Sequence, residues 1–95
     1  MRQITKEAVD AFMEGGSYKK SNMEVRDNCM YLFGNKIAWL DRNKQLWISN
    51  CGWMSVTTKE RLNALPNVHI IQRNYHWYLN GVDWDGRATC IGRVC

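Results

Sequence analysis

Cysteine and histidine are the side chains in this sequence that support the widest range of chemistry, because both ligate metals and both take part in nucleophilic catalysis. Zinc sites use ligand pairs that are close in sequence, such as two cysteines separated by two residues, so that both reach one ion. His69 and His76 lie on what we expect to be opposing strands, and ordinary hydrogen bonding is the favoured interpretation. The zinc spacing is missing from the four cysteines: Cys29, Cys51, Cys90 and Cys95. We therefore expect no metal site and no cofactor.

Catalysis without a metal would need an activated nucleophile or a pair of carboxylates with different pKa values. Cys51 is the candidate nucleophile, but a cysteine packed in the core is the favoured interpretation. Asp83 and Asp85 share one face of a predicted strand, yet acids beside glycine more often serve turns. The spacing of a phosphate-binding loop is missing from the glycines Gly34, Gly52 and Gly81. The sequence therefore predicts a protein that is not an enzyme, with no catalytic residues.

Tryptophan is unusually abundant, with five in 95 residues. Each indole buries a large area and needs a partner for its N–H, so some indoles are expected at a surface. We rank burial in the core or in a homodimer first, binding of another protein second, and stacking on nucleic-acid bases third. The candidate protein-binding residues are Trp39, Trp47, Trp53, Trp77, Tyr78 and Trp84.

The chain has a mild basic character, with a net charge of +4 and a pI of about 9.0. This charge fits nucleic acid or an acidic protein partner, but the lysines and arginines are scattered along the chain. A nucleic-acid-binding module is therefore the alternative function. It would combine the strand aromatics with Lys36, Arg42, Lys59, Arg61 and Arg73.

Two sequence features bear on the cellular compartment. Residues 1–14 contain acidic side chains in an amphipathic pattern, without the continuous apolar segment of a signal peptide. No segment approaches the roughly 18 apolar residues of a membrane span. We therefore expect an intracellular protein with reduced cysteines and no membrane partner.

One short helix has both ends marked in the sequence. Thr57 and Glu60 have the spacing of a capping box, and Pro66 ends the helix because it cannot donate a backbone hydrogen bond. Leu62 and Leu65 form the expected buried stripe. The residues expected to face the solvent are Lys59, Glu60, Arg61 and Asn63.

The rest of the chain predicts another helix and several strands. A first helix is predicted over Ile4–Glu14, with Thr5 as its N-cap. Turn residues separate short apolar or alternating segments, and Asn80-Gly81 is the strongest hairpin signal. Such closely spaced turns favour antiparallel strands, because parallel strands need long crossovers. The predicted strands are 18–26, 29–33 (with a turn at Gly34-Asn35), 36–41, 45–49, 68–73, 76–79 and 82–85.

These elements predict an α+β fold: an antiparallel β-meander sheet, with the N-terminal helix and the second short helix packed on it. Residues 1–86 are predicted to form a single domain, since the chain is short and contains no linker. Residues 87–95 have no clear period, and we expect a loosely held C-terminal tail.

Several segments resemble a family of small proteins encoded by tailed bacteriophages. The more specific ones are Thr-Thr-Lys-Glu-Arg-Leu-Asn (57–63) and Trp-Tyr-Leu-Asn-Gly (77–81), and Tyr-Leu-Phe-Gly-Asn-Lys-Ile-Ala (31–38) and Leu-Trp-Ile-Ser-Asn-Cys-Gly-Trp (46–53) add to them. The resemblance extends over roughly residues 5–86. It implies a viral origin and work in the cytoplasm of an infected bacterium, and it brings no catalytic residue with it.

The functional hypothesis follows from the residue chemistry and from the resemblance to phage proteins. We expect a non-enzymatic phage accessory protein that binds a host macromolecule in the course of host takeover. A host protein is the expected partner, and inhibition of a host or defence factor is the candidate effect. A homodimer and a complex with nucleic acid are the alternative partnerships.

Overall fold

The computed structural model describes residues 3–52 and 55–93, which form two helices and nine strands. The helices are α1 (Gln3–Glu14) and α2 (Val56–Asn63). The strands are β1 (Tyr18–Lys20), β2 (Met23–Arg26), β3 (Cys29–Leu32), β4 (Asn35–Leu40), β5 (Gln45–Ile48), β6 (Ile70–Arg73), β7 (His76–Leu79), β8 (Val82–Trp84) and β9 (Thr89–Arg93). The predicted α+β class is confirmed.

Two-residue loops set the antiparallel order of most strands. Both central residues have positive φ in the loops Asp27-Asn28, Phe33-Gly34, Asn74-Tyr75 and Asn80-Gly81, as the tight turns that match strand twist require. The Asn80-Gly81 prediction is confirmed, whereas the turn predicted at Gly34-Asn35 lies one residue earlier. The predicted strand 18–26 is in fact two strands, because Ser21, with φ of 56°, reverses the chain between β1 and β2.

The strands form two sheets. One has six strands in the order β1-β2-β3-β4-β5-β9, and the other has three in the order β6-β7-β8. The backbone N–H of Asn50 donates to the carbonyl of Gly86 at 2.9 Å, which connects the segment after β5 to the segment after β8. Buried side chains from both sheets and both helices belong to one hydrophobic core.

The prediction of a loose tail from residue 87 is wrong for Thr89–Arg93, since β9 pairs with β5 at the edge of the larger sheet. The sequence of β9 does not show the regular alternation of a strand, because the register of its pairing with β5 shifts. Ile91 has no opposing residue, while Cys90 faces Trp47 and Gly92 faces Leu46. This extra residue interrupts the period of two that would have predicted a strand.

Alternation along the strands decides which face of the large sheet is buried. Met23 and Val25 of β2, and Leu46 and Ile48 of β5, point into the core. Helix α1 contacts β1, β2 and β3 on this side, and α2 contacts β4 and β6. The opposite face carries no helix in the described part of the chain.

Two predictions about the N-terminal ends of the helices are wrong. Helix α2 starts earlier than predicted, with Ser55 as its N-cap, and the Ser55 hydroxyl accepts from the N–H of Thr58 at 3.1 Å. Thr5 lies inside α1, fully buried, and donates to Glu60 Oε1 at 2.9 Å. Glu60 therefore binds the other helix, and no capping box forms at Thr57.

Arg61 faces the core, contrary to prediction, with 2% of its side chain exposed. It belongs to a buried stripe with the helical spacing i, i+3, i+4, i+7, and its guanidinium binds Thr5 and Glu60. The stripe consists of Thr58, Arg61, Leu62 and Leu65, so the prediction for the two leucines is confirmed.

Candidate functional site

The uncovered face of the large sheet presents three half-buried aromatic side chains, Tyr31, Trp39 and Trp47, which we call the aromatic face. They point away from the core because their strand neighbours point into it. Trp39 and Trp47 are directly opposed on β4 and β5. One row across four strands reads Cys29, Trp39, Trp47, Cys90.

The rings of the aromatic face are held in place by one another and by two cations. The indoles of Trp39 and Trp47 are nearly parallel, 5° apart, with centroids separated by 6.2 Å. Lys36 Nζ lies 4.8 Å from the Trp39 ring centroid, and the Arg26 guanidinium lies 4.7 Å from that of Tyr31. Such contacts contribute about 0.5–1 kcal/mol each. The rings are therefore ordered before any partner arrives.

Asp41 fixes the orientation of Trp47. Its Oδ2 accepts from Trp47 Nε1 at 2.9 Å, and its Oδ1 accepts from the backbone N–H groups of Asn43 and Gln45. These hydrogen bonds lower the pKa of Asp41, and the bond from Trp47 has the largest effect. The carboxylate thus stays ionised at neutral pH and supplies a negative charge at the border of the aromatic face.

Both cations and anions border the aromatic face. Arg26 pairs with Glu24 at 3.0 Å and with Asp27 at 3.7 Å. Desolvation raises the pKa of Tyr31, helped by a hydrogen bond with Cys29, so the phenol remains a neutral donor at pH 7. An aromatic centre with a mixed polar border has the anatomy of a protein-binding surface.

A group of cations lies at one end of this sheet. Arg42, Lys44 and Arg93 line one shallow depression together with Asn43. Within residues 3–52 and 55–93, none of these three cations forms an ion pair. This cation cluster is the most basic feature near the aromatic face.

The predicted protein-binding residues do not lie together on one surface. Trp39 and Trp47 lie together on the aromatic face, and Tyr78 is half-buried on the smaller sheet. Trp77 and Trp84 stack on each other, at 1% and 6% exposure, so the prediction that they contact a partner is corrected: they belong to the core. Trp53 lies outside the residues that the structure describes.

The predicted nucleic-acid-binding residues do not form one surface. Lys36 lies on Trp39 and Arg42 belongs to the cation cluster. Lys59 on α2 donates to Gln72, and Arg73 is exposed on β6. Arg61 is removed from this group by its burial.

The catalytic and metal candidates are scattered. Cys51 is exposed, which corrects the expectation of a cysteine packed in the core, and its thiol donates to the carbonyl of Lys36 at 2.7 Å. His76 is opposite Arg73 near the loop of its hairpin, whereas His69 bonds Asn80 at the other end. Within residues 3–52 and 55–93, no three potential ligands among histidine, cysteine and acidic residues converge.

Of the two acidic candidates, Asp85 is occupied by a neighbouring cation. Asp85 binds Arg87 through two bonds of 2.9 and 3.0 Å, and this contact lowers the pKa of its carboxyl. Asp85 lines a surface groove together with Asp83 and Cys90.

Sequence reasoning missed the polar residues that organise the aromatic face. Arg26 and Asp41 were not among the candidates, although both have a detectable signal. Arg26 alternates with the buried Val25, which places it on the outer face. Asp41 stands at the end of β4, where a turn aspartate bonds the backbone two residues on.

Comparisons with known proteins place the chain among phage proteins. The family model described as Kyanoviridae Gp96 protein matches residues 1–91. No curated protein and no solved structure gave a significant match. Within residues 3–52 and 55–93, no helix combines the length and the apolar character needed to cross a membrane.

Proposed function

Because the chain belongs to the Kyanoviridae Gp96 protein family, a family of phage proteins, we propose that this accessory protein binds a host protein through its aromatic face. It acts without catalysis, in the cytoplasm of the infected bacterium, and alters or inhibits the host factor that it binds. The ordered pair of Trp39 and Trp47 on an uncovered sheet face is the observation that carries the proposal.

Two physical arguments favour a protein partner. Tryptophan, tyrosine and arginine dominate the affinity of protein interfaces, and rings that are already ordered lose little entropy on binding. The charges beside the rings are mixed, with Lys36 and Arg26 close to Glu24 and Asp41. A surface for nucleic acid would be more uniformly positive.

The test is capture of host proteins from a lysate of the bacterium that the phage infects. We expect the wild-type chain to retain a specific protein and Trp39→Ala to bind it at least tenfold more weakly, as for a central interface tryptophan. Tyr75→Ala is the matched control, because Tyr75 is 91% exposed on the smaller sheet, at the β6–β7 loop. Equal retention by wild type and Trp39→Ala would refute the proposal, as would a homodimer that buries both aromatic faces.

The second candidate function is binding of single-stranded nucleic acid, and the cation cluster beside the aromatic face favours it. Anisotropy of a labelled oligothymidine measures this directly. The candidate function predicts affinity that falls steeply between roughly 50 and 200 mM salt, and weaker binding by Arg42→Gln than by the control Arg73→Gln. Affinity that is absent, or flat with salt, excludes this function.

A further inference from the structure

A groove of about 610 Å³ runs between the edge of the small sheet and the edge of the large one. Consecutive residues of both edge strands line it: Val82, Asp83 and Trp84 of β8, and Thr89, Cys90 and Ile91 of β9. Successive side chains of a strand point to opposite faces, so a surface lined by consecutive residues is the edge of the strand. We call this feature the edge groove.

The backbone of Asp83 points into the edge groove. Leu79 and Val82 flank the two-residue loop Asn80-Gly81 and so form the hydrogen-bonded pair that closes the hairpin. The next pair, Tyr78 and Asp83, is then a pair without mutual backbone bonds. The N–H and C=O of Asp83 are therefore directed away from β7.

The backbone of Cys90 has the same orientation on the opposite wall. The N–H of Ser49 donates to the carbonyl of Ile37 at 2.8 Å, so the odd-numbered residues of β5 bond towards β4. Trp47 accordingly bonds towards β4, and its partner Cys90 directs its own N–H and C=O away from β5. Both β8 and β9 pair on one side alone in the described part of the chain.

The other edge of the small sheet is protected in a way that the edge groove is not. The side-chain amide of Asn63 bonds both backbone groups of Ile70 on β6, donating to its carbonyl at 3.0 Å and accepting from its N–H at 2.6 Å. At the β6 edge, the Asn63 side chain therefore forms the hydrogen bonds that a neighbouring strand would otherwise form. Asp83 and Cys90 have no such backbone partner among the residues that the structure describes.

The side chains of the edge groove indicate what would fill it. Val82 is 68% exposed, and the half-buried Ile91 adds apolar surface. Asp83 has no ion pair in the described residues, while Asp85 is bonded to Arg87. The groove therefore carries a net negative charge on a protein whose total charge is +4.

We propose that the edge groove accepts an extended segment of the partner protein, which adds a strand against β8 and β9 and carries apolar side chains flanked by lysine or arginine. Backbone bonds give such strand addition its affinity, and side-chain pockets give it selectivity. The inference rests on the proposed function, since it supplies the partner with a second contact. Cys90 joins the two surfaces, because it faces Trp47 and also lines the groove.

The test uses a synthetic strand as probe: the acetylated and amidated peptide Lys-Thr-Val-Thr-Val-Thr-Val-Lys. Its control is the same peptide with alternate backbone amides N-methylated, which removes the donors along one edge. We expect the parent peptide to bind, to slow hydrogen exchange at the amides of Asp83 and Cys90 at least tenfold, and to lose its affinity on N-methylation.

Variants of the protein separate the backbone contribution from that of the side chain. Asp83→Pro removes the outward N–H without breaking the bonds between β7 and β8, and should weaken binding at least tenfold. Asp83→Ala keeps the N–H and should weaken binding by less than about threefold, the usual scale of an exposed charge pair. Cys90→Pro and Cys90→Ser form the equivalent pair on β9.

Each remaining outcome counts against strand addition. These outcomes are failure of the peptide to bind, equal binding of the N-methylated peptide, and equal affinities of Asp83→Pro and Asp83→Ala. Slow hydrogen exchange at Asp83 and Cys90 in a self-associated protein without peptide would show that a second copy fills the groove. That result would also overturn the proposal of strand addition by a partner protein. Capture of a host protein by the aromatic face is measured separately, so peptide failure with capture intact refutes this inference alone. Peptide binding without capture refutes the proposed function alone.

Discussion

At the level of single residues, the most consequential side chain is the buried Arg61. It binds Thr5 of α1 and its neighbour Glu60, and thereby connects the two helices beneath the sheet. Its Nε has no hydrogen-bond partner in the described residues. Removing one partner of a buried ion pair is costly, whereas replacing the pair by apolar groups is often neutral.

Substitutions of Arg61 and Glu60 should therefore differ in the size of their effect on stability. Arg61→Met removes the buried charge and fills a similar volume. The partner that it leaves, Glu60, is partly exposed and still accepts from Thr5, so we expect the free energy of unfolding to change by less than about 1 kcal/mol. Glu60→Ala leaves the buried guanidinium with fewer acceptors and should cost about 2 kcal/mol or more, less than the 3–5 kcal/mol of a fully buried pair because Glu60 is partly exposed. Urea unfolding of both variants measures the difference, and a larger loss for Arg61→Met than for Glu60→Ala would contradict this account.

The lowered pKa of Asp41 predicts how stability depends on pH. A carboxyl whose pKa is lower in the folded state contributes stability above its unfolded pKa of about 3.9, and this contribution is lost as the pH falls through the lower folded value. Trp47 fluorescence should therefore respond to acid below about pH 4. Asp41→Asn should remove this response and lower the stability measured at pH 7, and an unchanged acid titration in this variant would rule out Asp41 as its source.

At the level of elements, the N-terminus of α2 depends on Ser55. Its hydroxyl accepts from the N–H of Thr58, which has no partner within the helix. Ser55→Ala should therefore destabilise the protein by about 1 kcal/mol. Thr57→Ala, which replaces the residue favoured by the sequence pattern, should cost less than about half as much in the same thermal or urea unfolding experiment. A larger loss of stability for Thr57→Ala than for Ser55→Ala would instead indicate that the capping box at Thr57 forms.

Sequence patterns predicted the elements whose signals are local. Asn80-Gly81 marked its hairpin, and the alternation of Met23 and Val25 gave the buried face of β2, because turn chemistry and strand period are written in adjacent residues. β9 was missed because the extra residue Ile91 breaks its period. The separation into two sheets was missed because it depends on contacts between distant segments.

The candidate site was predicted less completely than the fold. An excess of tryptophan pointed to a binding surface, but alternation alone could not tell the buried Trp77 from the half-buried Trp47. That distinction depends on where the helices pack. Arg61 shows the same limit, since a charge beside Leu62 is normally assigned to the solvent side of a helix.

At the level of the whole molecule, the two sheets meet where Asn50 approaches Gly86. The carbonyl of Gly86 accepts from the N–H of Asn50 and from the hydroxyl of Ser49, and its φ of 93° favours glycine. A Cβ at this position would come within 2.1–2.3 Å of the Asn50 amide. The contact therefore requires a residue without a side chain.

Gly86→Ala should disrupt this junction and cost well over 2 kcal/mol, from the overlap with Asn50 added to the backbone strain. Gly34→Ala is the matched control, because Gly34 also has positive φ, at 81°, but a Cβ there would meet nothing within 4 Å. It should cost about 1–2 kcal/mol from the backbone alone. Denaturant midpoints give both values, and equal losses would remove the role assigned to the junction.

The position of β9 has a consequence for the order of folding. Strands β1 to β5 follow one another through short loops, so each finds its neighbour with little loss of chain entropy. β9 reaches β5 only after α2 and the whole small sheet have intervened in the chain. During synthesis the meander can therefore assemble while the C-terminus is still in the ribosome, and closure by β9 comes last.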